Sequence, residues 1–197
     1  MKQNNVCIFA SSSALLEQKY FALAEELGTA VARSGAGMVF GGGQRGLMGA
    51  VARGVRKENG RIIGVIPERL NKPGIAYTEC TEFYQTETMH ERKQRMEDLA
   101  SAFIALPGGF GTLEEVLEVI TLRQLGYHDK PIVIINLDGF FDPILEQFER
   151  LYAENFADVA YRAMYAVAGG AREAVSLIRS YVPADLPDKL QATEGSV

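Results

Sequence analysis

Short apolar runs alternate along the chain with longer stretches in which apolar residues recur every three to four positions. VCIFA (6–10), GMVF (37–40), RIIGVIP (61–67), AFIAL (102–106) and PIVIIN (131–136) are apolar nearly throughout and read as buried strands. TEFYQ (81–85) and residues 165–167 add two further strands. Helical spacing predicts helices over residues 16–33, 47–58, 89–100, 112–125, 142–154 and 171–180. Strands that lack polar alternation and are separated by helices predict a parallel sheet covered on both sides. The expected fold is therefore α/β: a Rossmann-like, doubly wound parallel sheet with helices on both faces. Such sheets receive ligands beyond the carboxyl ends of their strands. No repeat or linker interrupts the pattern over residues 1–182, which read as one domain. Residues 183–197, polar and punctuated by proline, read as a loose C-terminal tail.

Composition narrows the partners. At 197 residues, with 47% hydrophobic residues and a net charge of -5, the chain has the make-up of an ordinary globular domain without a basic run for nucleic acid. Cys7 and Cys80 lie far apart, and no group of His, Cys or carboxylate residues has metal-ligand spacing, so no metal is expected. Met1 to Asn5 lacks the apolar core of a signal peptide, and no run is long enough to span a bilayer. The expected setting is the cytoplasm, with no membrane partner.

Two glycine clusters stand where a strand gives way to a helix: FGGGQRGLMG (40–49) and LPGGFGTLEE (106–115). The first turn of a helix carries unpaired N–H groups and the positive end of its dipole, and glycine removes the side chain that would keep an anion away. Each cluster has two readings, a tight bend or a phosphate cradle; two of them on one sheet favour the cradle. Neither is a Walker loop, and the first strand lacks G-x-G-x-x-G.

On a helical wheel of MHERKQRMEDLA (89–100), Met89, Met96, Leu99 and Ala100 share a face with Arg92 and Lys93, while Glu91, Arg95 and Asp98 lie opposite. Two cations so placed either extend past the core edge or pair with a structural carboxylate, or they meet a buried anion. In the helix at 112–125, Leu113, Val116, Leu117 and Ile120 form the expected core stripe. Val119 and Leu122 fall on the other side, beside Glu115. A helix apolar on both sides predicts a second cover, read as another subunit. Glu114 lies about 100° from Glu115 and could serve only to offset the helix dipole.

GGGQRGLMG, MHERKQRM and LPGGFGTLEEVLEVITLRQLG, in this order, resemble the LOG family of cytokinin riboside 5'-monophosphate phosphoribohydrolases. The similarity runs over residues 6–156, and Pro107 to Glu115 matches the family's P-G-G-x-G-T-x-x-E motif in full. The resemblance implies a Rossmann-like nucleotide-binding domain, a homodimer, and hydrolysis of the N-glycosidic bond of AMP and its N6-substituted relatives without a cofactor. Three departures bear on substrate preference: Ala10 in place of a glycine, Leu122 where many members carry tryptophan, and Ser101 in place of an aspartate. Members are often labelled lysine decarboxylase, but nothing here arranges a Schiff-base lysine with an acidic partner for pyridoxal phosphate.

Cleavage of a ribosyl–base bond develops positive charge on the sugar, which a carboxylate stabilises. Glu115 and Arg92 are accordingly the expected catalytic residues. Expected to hold substrate are Ser11, Ser12, Gly42, Gly43, Met89, Lys93, Pro107, Gly108, Gly109, Gly111 and Thr112, together with Arg92 and Glu115. His90 reads as a helix-surface residue and His128 as a loop residue. Alternative functions are a general purine nucleotide nucleosidase and a non-catalytic carrier of nucleotide or molybdenum cofactor.

Overall fold

The computed structural model describes residues 4–187. Seven parallel strands form one sheet in the order β4-β3-β2-β1-β5-β6-β7. They are β1 (Asn5–Phe9), β2 (Gly37–Phe40), β3 (Ile62–Pro67), β4 (Glu82–Thr86), β5 (Ala102–Ala105), β6 (Ile132–Ile135) and β7 (Ala166–Ala168). The helices are α1 (Gln18–Arg33), α2 (Gly46–Lys57), α3 (Met89–Leu99), α4 (Phe110–Gln124), α5 (Asp142–Ala153) and α6 (Ala171–Arg179). All thirteen expected elements are present, with no end moved by more than two residues. No helix among the described residues is long and apolar enough to cross a membrane.

The apolar strands make two cores, one on each face, because successive strand residues point to opposite sides. Val6, Ile8, Met38, Phe40, Ile104 and Val133 pack under α1, α2 and α6. Cys7, Phe9, Val39, Phe103, Ile132 and Ile134 pack under α3, α4 and α5. On the first face α1 and α2 cross so closely that a Cβ on Gly28 would lie 2.1 Å from Val51 O, and one on Gly54 2.2 Å from Glu25 O.

Strand order reverses between β1 and β5, so the loops after these two strands diverge and leave a crevice at their carboxyl ends. After α6, residues 181–187 form no helix or strand. Leu186 nevertheless packs against the second core, and Tyr161 Oη donates to Pro187 O at 3.3 Å. The rest of the expected tail, 188–197, lies outside the described residues.

Two sequence expectations are corrected here. In α4 the buried residues are Thr112, Val116, Val119, Ile120 and Arg123, whereas Leu117 is 38% exposed. Val119 therefore belongs to the core and not to an outer face. It lies only about 60° around the helix from Val116, against about 100° for Leu117, so the core stripe is centred on the other side of Val116. Met89 is 47% exposed despite sharing a wheel face with Met96. It is the first residue of α3, a turn before Arg92, the first buried residue of the helix.

Candidate active site

Local chemistry sets where α3 begins. Thr88 Oγ1 accepts from the Glu91 N–H at 3.1 Å, and the Glu91 carboxylate reaches back to the Glu87 N–H at 2.9 Å. This reciprocal cap starts the helix at Met89 and turns Arg92 inward. Arg92 is 8% exposed. Its Nε donates to Val65 O at 3.3 Å, at the end of β3, and its Nη1 donates to Glu115 Oε1 at 3.1 Å. The guanidinium lies against Gly41, where a Cβ would sit 1.7 Å from Nη2. The first glycine of GGGQRG is thus required by an arginine 51 positions later. Sequence reasoning passed over Gly41; the run of three glycines, one more than a tight turn needs, was the available signal.

Glu115 stands in the second turn of α4, behind the loop that leaves β5. Burial holds its carboxyl above the usual carboxylate range, and Arg92 opposes that shift. An ion pair this buried contributes little to stability beyond what apolar packing would, so its presence in a crevice points to chemistry. Cys7, in β1 beneath the pair, is fully buried; burial and Glu115 push its thiol pKa well up, which makes it inert as a nucleophile.

The loop after β5 is open on its outer side. Pro107 and Thr112 are buried, while Gly109 and Gly111 are exposed, with nothing within 4 Å of a Cβ built on either. Leu113 is the residue whose N–H returns to Gly109 O, at 3.0 Å. The amides ahead of it are first-turn groups that a helix cannot satisfy internally. Gly108 differs: its Cβ would meet Thr112 Oγ1 at 2.1 Å, so this glycine lets Thr112 fold back over the loop.

The loop after β2 is held by its own chain. Tyr77 N donates to Gly42 O, Gln44 N donates to Ile75 O, and Gly43 pairs with Ala76 in an isolated bridge. Gly42 takes a φ of +69°, which a side chain would resist. Ser11 is half-buried and Ser12 exposed at the end of β1; Ser11 O accepts from Leu47 N at 2.8 Å and its Oγ from Ser13 N at 3.1 Å.

Lys93 joins α3 to α4. Its Nζ bonds Glu114, and also Glu118 at 2.9 Å. Burial alone would lower its pKa, but these two carboxylates outweigh burial and raise it. His90 is exposed on α3. His128 lies in the loop after α4, against the Phe103 ring and within 3.0 Å of Val119 O, and burial lowers its pKa.

A doubly wound sheet with a buried arginine–glutamate pair at its switch point defines a class of small-molecule-binding α/β proteins. Residues 48–178 match the family described as "Possible lysine decarboxylase". Among curated relatives, the rice (Oryza sativa subsp. japonica) cytokinin riboside 5'-monophosphate phosphoribohydrolase LOG is 42% identical over 90% of this chain and 74% of its own length. Arabidopsis thaliana LOG1, of the same description, is 40% identical over 92% of this chain and 85% of its own. This chain belongs to the LOG family. Among solved structures, the molybdenum cofactor binding protein of Rippkaea orientalis superposes with a TM-score of 0.70 at 20% identity, covering 91% of this chain and 98% of that one. The molybdenum cofactor carrier protein of Chlamydomonas reinhardtii gives 0.69, also at 20% identity, over 90% and 96%. At that identity the likeness extends to the fold.

Proposed function

We propose that this chain hydrolyses the N-glycosidic bond of AMP and of N6-substituted riboside 5'-monophosphates, releasing the free base and ribose 5-phosphate. The observation that carries the reading is the buried Arg92–Glu115 pair beside the open loop of Gly109 and Gly111. It stands in a chain about two-fifths identical to phosphoribohydrolases over nine-tenths of its length.

In this reading the 5'-phosphate rests on the amides at the start of α4, with Gly108, Gly109, Gly111 and Thr112 around it. Ser11, Ser12, Gly42, Gly43, Met89 and Pro107 line the remaining walls. Glu115 faces the ribose: its carboxylate steadies the positive charge that develops at C1' and takes a proton from the attacking water. The water oxygen bonds to C1' as the C1'–N9 electron pair leaves with the purine, which then takes up a proton. Arg92 favours the ionised form of Glu115 against burial and orients the nucleotide. Turnover is expected to rise with pH through the Glu115 pKa, because the base must be deprotonated.

Incubation with AMP, N6-isopentenyl-AMP and GMP, followed by chromatography for free base, tests the reading. Adenine or isopentenyladenine is expected; absence of any free base would sink it, and preference for GMP would shift it to purine salvage. Glu115→Gln is expected to abolish turnover while AMP binding stays measurable by calorimetry.

The decarboxylase label fits the site poorly. A Schiff-base lysine needs a lowered pKa, and Lys93, next to the pair, has a raised one. Cadaverine formed from lysine and pyridoxal phosphate would reverse that judgement. The same reading makes the protein a cytoplasmic homodimer, with Phe110 (93% exposed), Leu117 and Tyr127 (76% exposed) as apolar surface for the second copy. Sedimentation at micromolar concentration tests the dimer, and cell fractionation the compartment.

A further inference from the structure

We propose that Lys93 is a positioning residue: by clasping Glu114 and Glu118 across the α3–α4 crevice, it fixes Glu115 against Arg92. The proposal rests on reading Arg92 and Glu115 as the catalytic pair.

Two adjacent residues of α3 meet adjacent residues of α4, Arg92 with Glu115 and Lys93 with Glu114. Glu118, one turn beyond Glu114, holds the same ammonium from the same side of α4. The Lys93 side chain is mostly buried, with Glu118 and Glu114 progressively more open to solvent. The ammonium is therefore enclosed by two carboxylates and directed at α4.

Apolar packing seats α3 at its far end, through Met96 and the partly buried Leu99, and not at its start. Of its eleven residues, Arg92 and Met96 are the buried ones. The start of α4 is also sparse: Phe110, Gly111 and Glu114 face outward, and Thr112, Leu113 and Val116 carry its packing. With so little apolar contact, the distance between the two helix starts depends on polar links. Arg92 supplies one through Val65 O and Glu115; Lys93 supplies the other. A misplacement of about 1 Å at a reacting group costs on the order of 100-fold in rate.

Charge is part of the effect. The groups that face Glu115 are Arg92 and Lys93 from α3, Glu114 on its own helix, and the protonated Cys7 thiol from β1. Lys93 favours the carboxylate form of Glu115, and Glu114 opposes it. Farther along the crevice, Glu97 of α3 sits near Glu118, Lys93 and Lys130.

The test uses Lys93→Met, Lys93→Arg and Glu114→Gln in the full chain. Lys93→Met is expected to lower kcat on the order of tenfold with KM changed less than about threefold. The acid limb of its kcat profile should move to higher pH, and Lys93→Arg should restore most of kcat. Glu114→Gln should move the same limb to lower pH. A 13C NMR titration of the Glu115 carboxyl in the ligand-free proteins must show the same two opposite shifts. That arm needs no turnover, so it stands even if the wild type proves to have no phosphoribohydrolase activity. A raised KM with unchanged kcat in Lys93→Met would make Lys93 a substrate contact and overturn the proposal. Loss of melting temperature with no shift in the Glu115 titration would overturn it as well, leaving Lys93 purely structural.

Discussion

The two glycine loops are nearly matched in composition, and each leads from a strand into a helix at the same edge of the sheet, yet they differ in what fills the space that glycine leaves. After β2 the space is taken by the protein itself. Arg92 occupies the side of Gly41, and a Cβ on Gly42 would press on Ile66 Cβ at 3.0 Å. Residues 75–77 bind the loop from outside. After β5 the positions of Gly109 and Gly111 open on nothing within 4 Å. Glycine richness at a strand–helix turn therefore has two physical origins, close approach of the chain to itself and close approach of a guest. Only the second leaves first-turn amides free to meet an anion. The first loop builds the site by letting the arginine in; in the proposed reading the second receives the ligand.

The largest expected effect breaks the first loop. Gly41→Ala places a methyl group on Arg92 Nη2 and must push the guanidinium off Glu115. Turnover should fall on the order of 100-fold or more, measured as free base released from AMP. A variant with wild-type kcat would show that the arginine has no fixed place.

Next comes the far end of the helix behind the second loop. Arg123 is buried at the end of α4 and donates to Lys130 O at 3.2 Å, Met164 O at 2.6 Å and Ala163 O at 3.3 Å. Arg123→Leu leaves those carbonyls without their donor and is expected to cost about 2 kcal/mol in urea unfolding. Its kcat should stay within about threefold of wild type, since Arg123 touches neither loop. A large fall in kcat at unchanged stability would contradict the division of labour between the two ends of α4.

Gly111→Ala sharpens the comparison from the ligand's side. Its methyl meets no protein atom, so stability should hold or rise slightly, as expected for alanine in a helix. KM for AMP should rise about tenfold, because the new methyl enters the space assigned to the phosphate. Wild-type KM would move the phosphate away from this loop.

The smallest effect lies away from both loops. Burial and the nearby Glu118 raise the Glu97 pKa from 4.5 to about 7. A carboxyl whose folded pKa is raised binds its proton more tightly in the folded state. Its contribution to stability is then full below about 4.5 and is lost as pH climbs through about 7. Glu97→Gln should match wild type near pH 4.5 and exceed it at pH 8 by about 1 kcal/mol in urea melts, a figure discounted because the group is only half-buried. Equal stability at pH 8 would place Glu97 in a more solvated setting than the fold provides.

Much of this was legible before any coordinates. The run from Pro107 to Glu115 and the inward tilt of Arg92 both follow from local order, and both residues lie in the crevice. Lys93 also turns inward as the wheel predicts. Its partners Glu114 and Glu118 could not be read, because they come from a helix 21 to 25 residues away. The strap at 75–77 over the first loop was equally hidden, having no periodicity of its own. The misplacement of Val119 and Leu117 has a narrower cause: with apolar residues on several sides of α4, the helical period alone cannot say which side the sheet covers.

By itself the amino-acid order determined the seven strands, the six helices, their parallel two-faced arrangement, and the turns where a ligand could come near, since each depends on neighbours within a few positions. Tertiary structure alone decided that the arginine fills the first glycine loop while the second stays open, and that Arg92 meets Glu115. Those outcomes depend on segments brought together across the sheet, where sterics and burial, not local propensity, assign each side chain its partner.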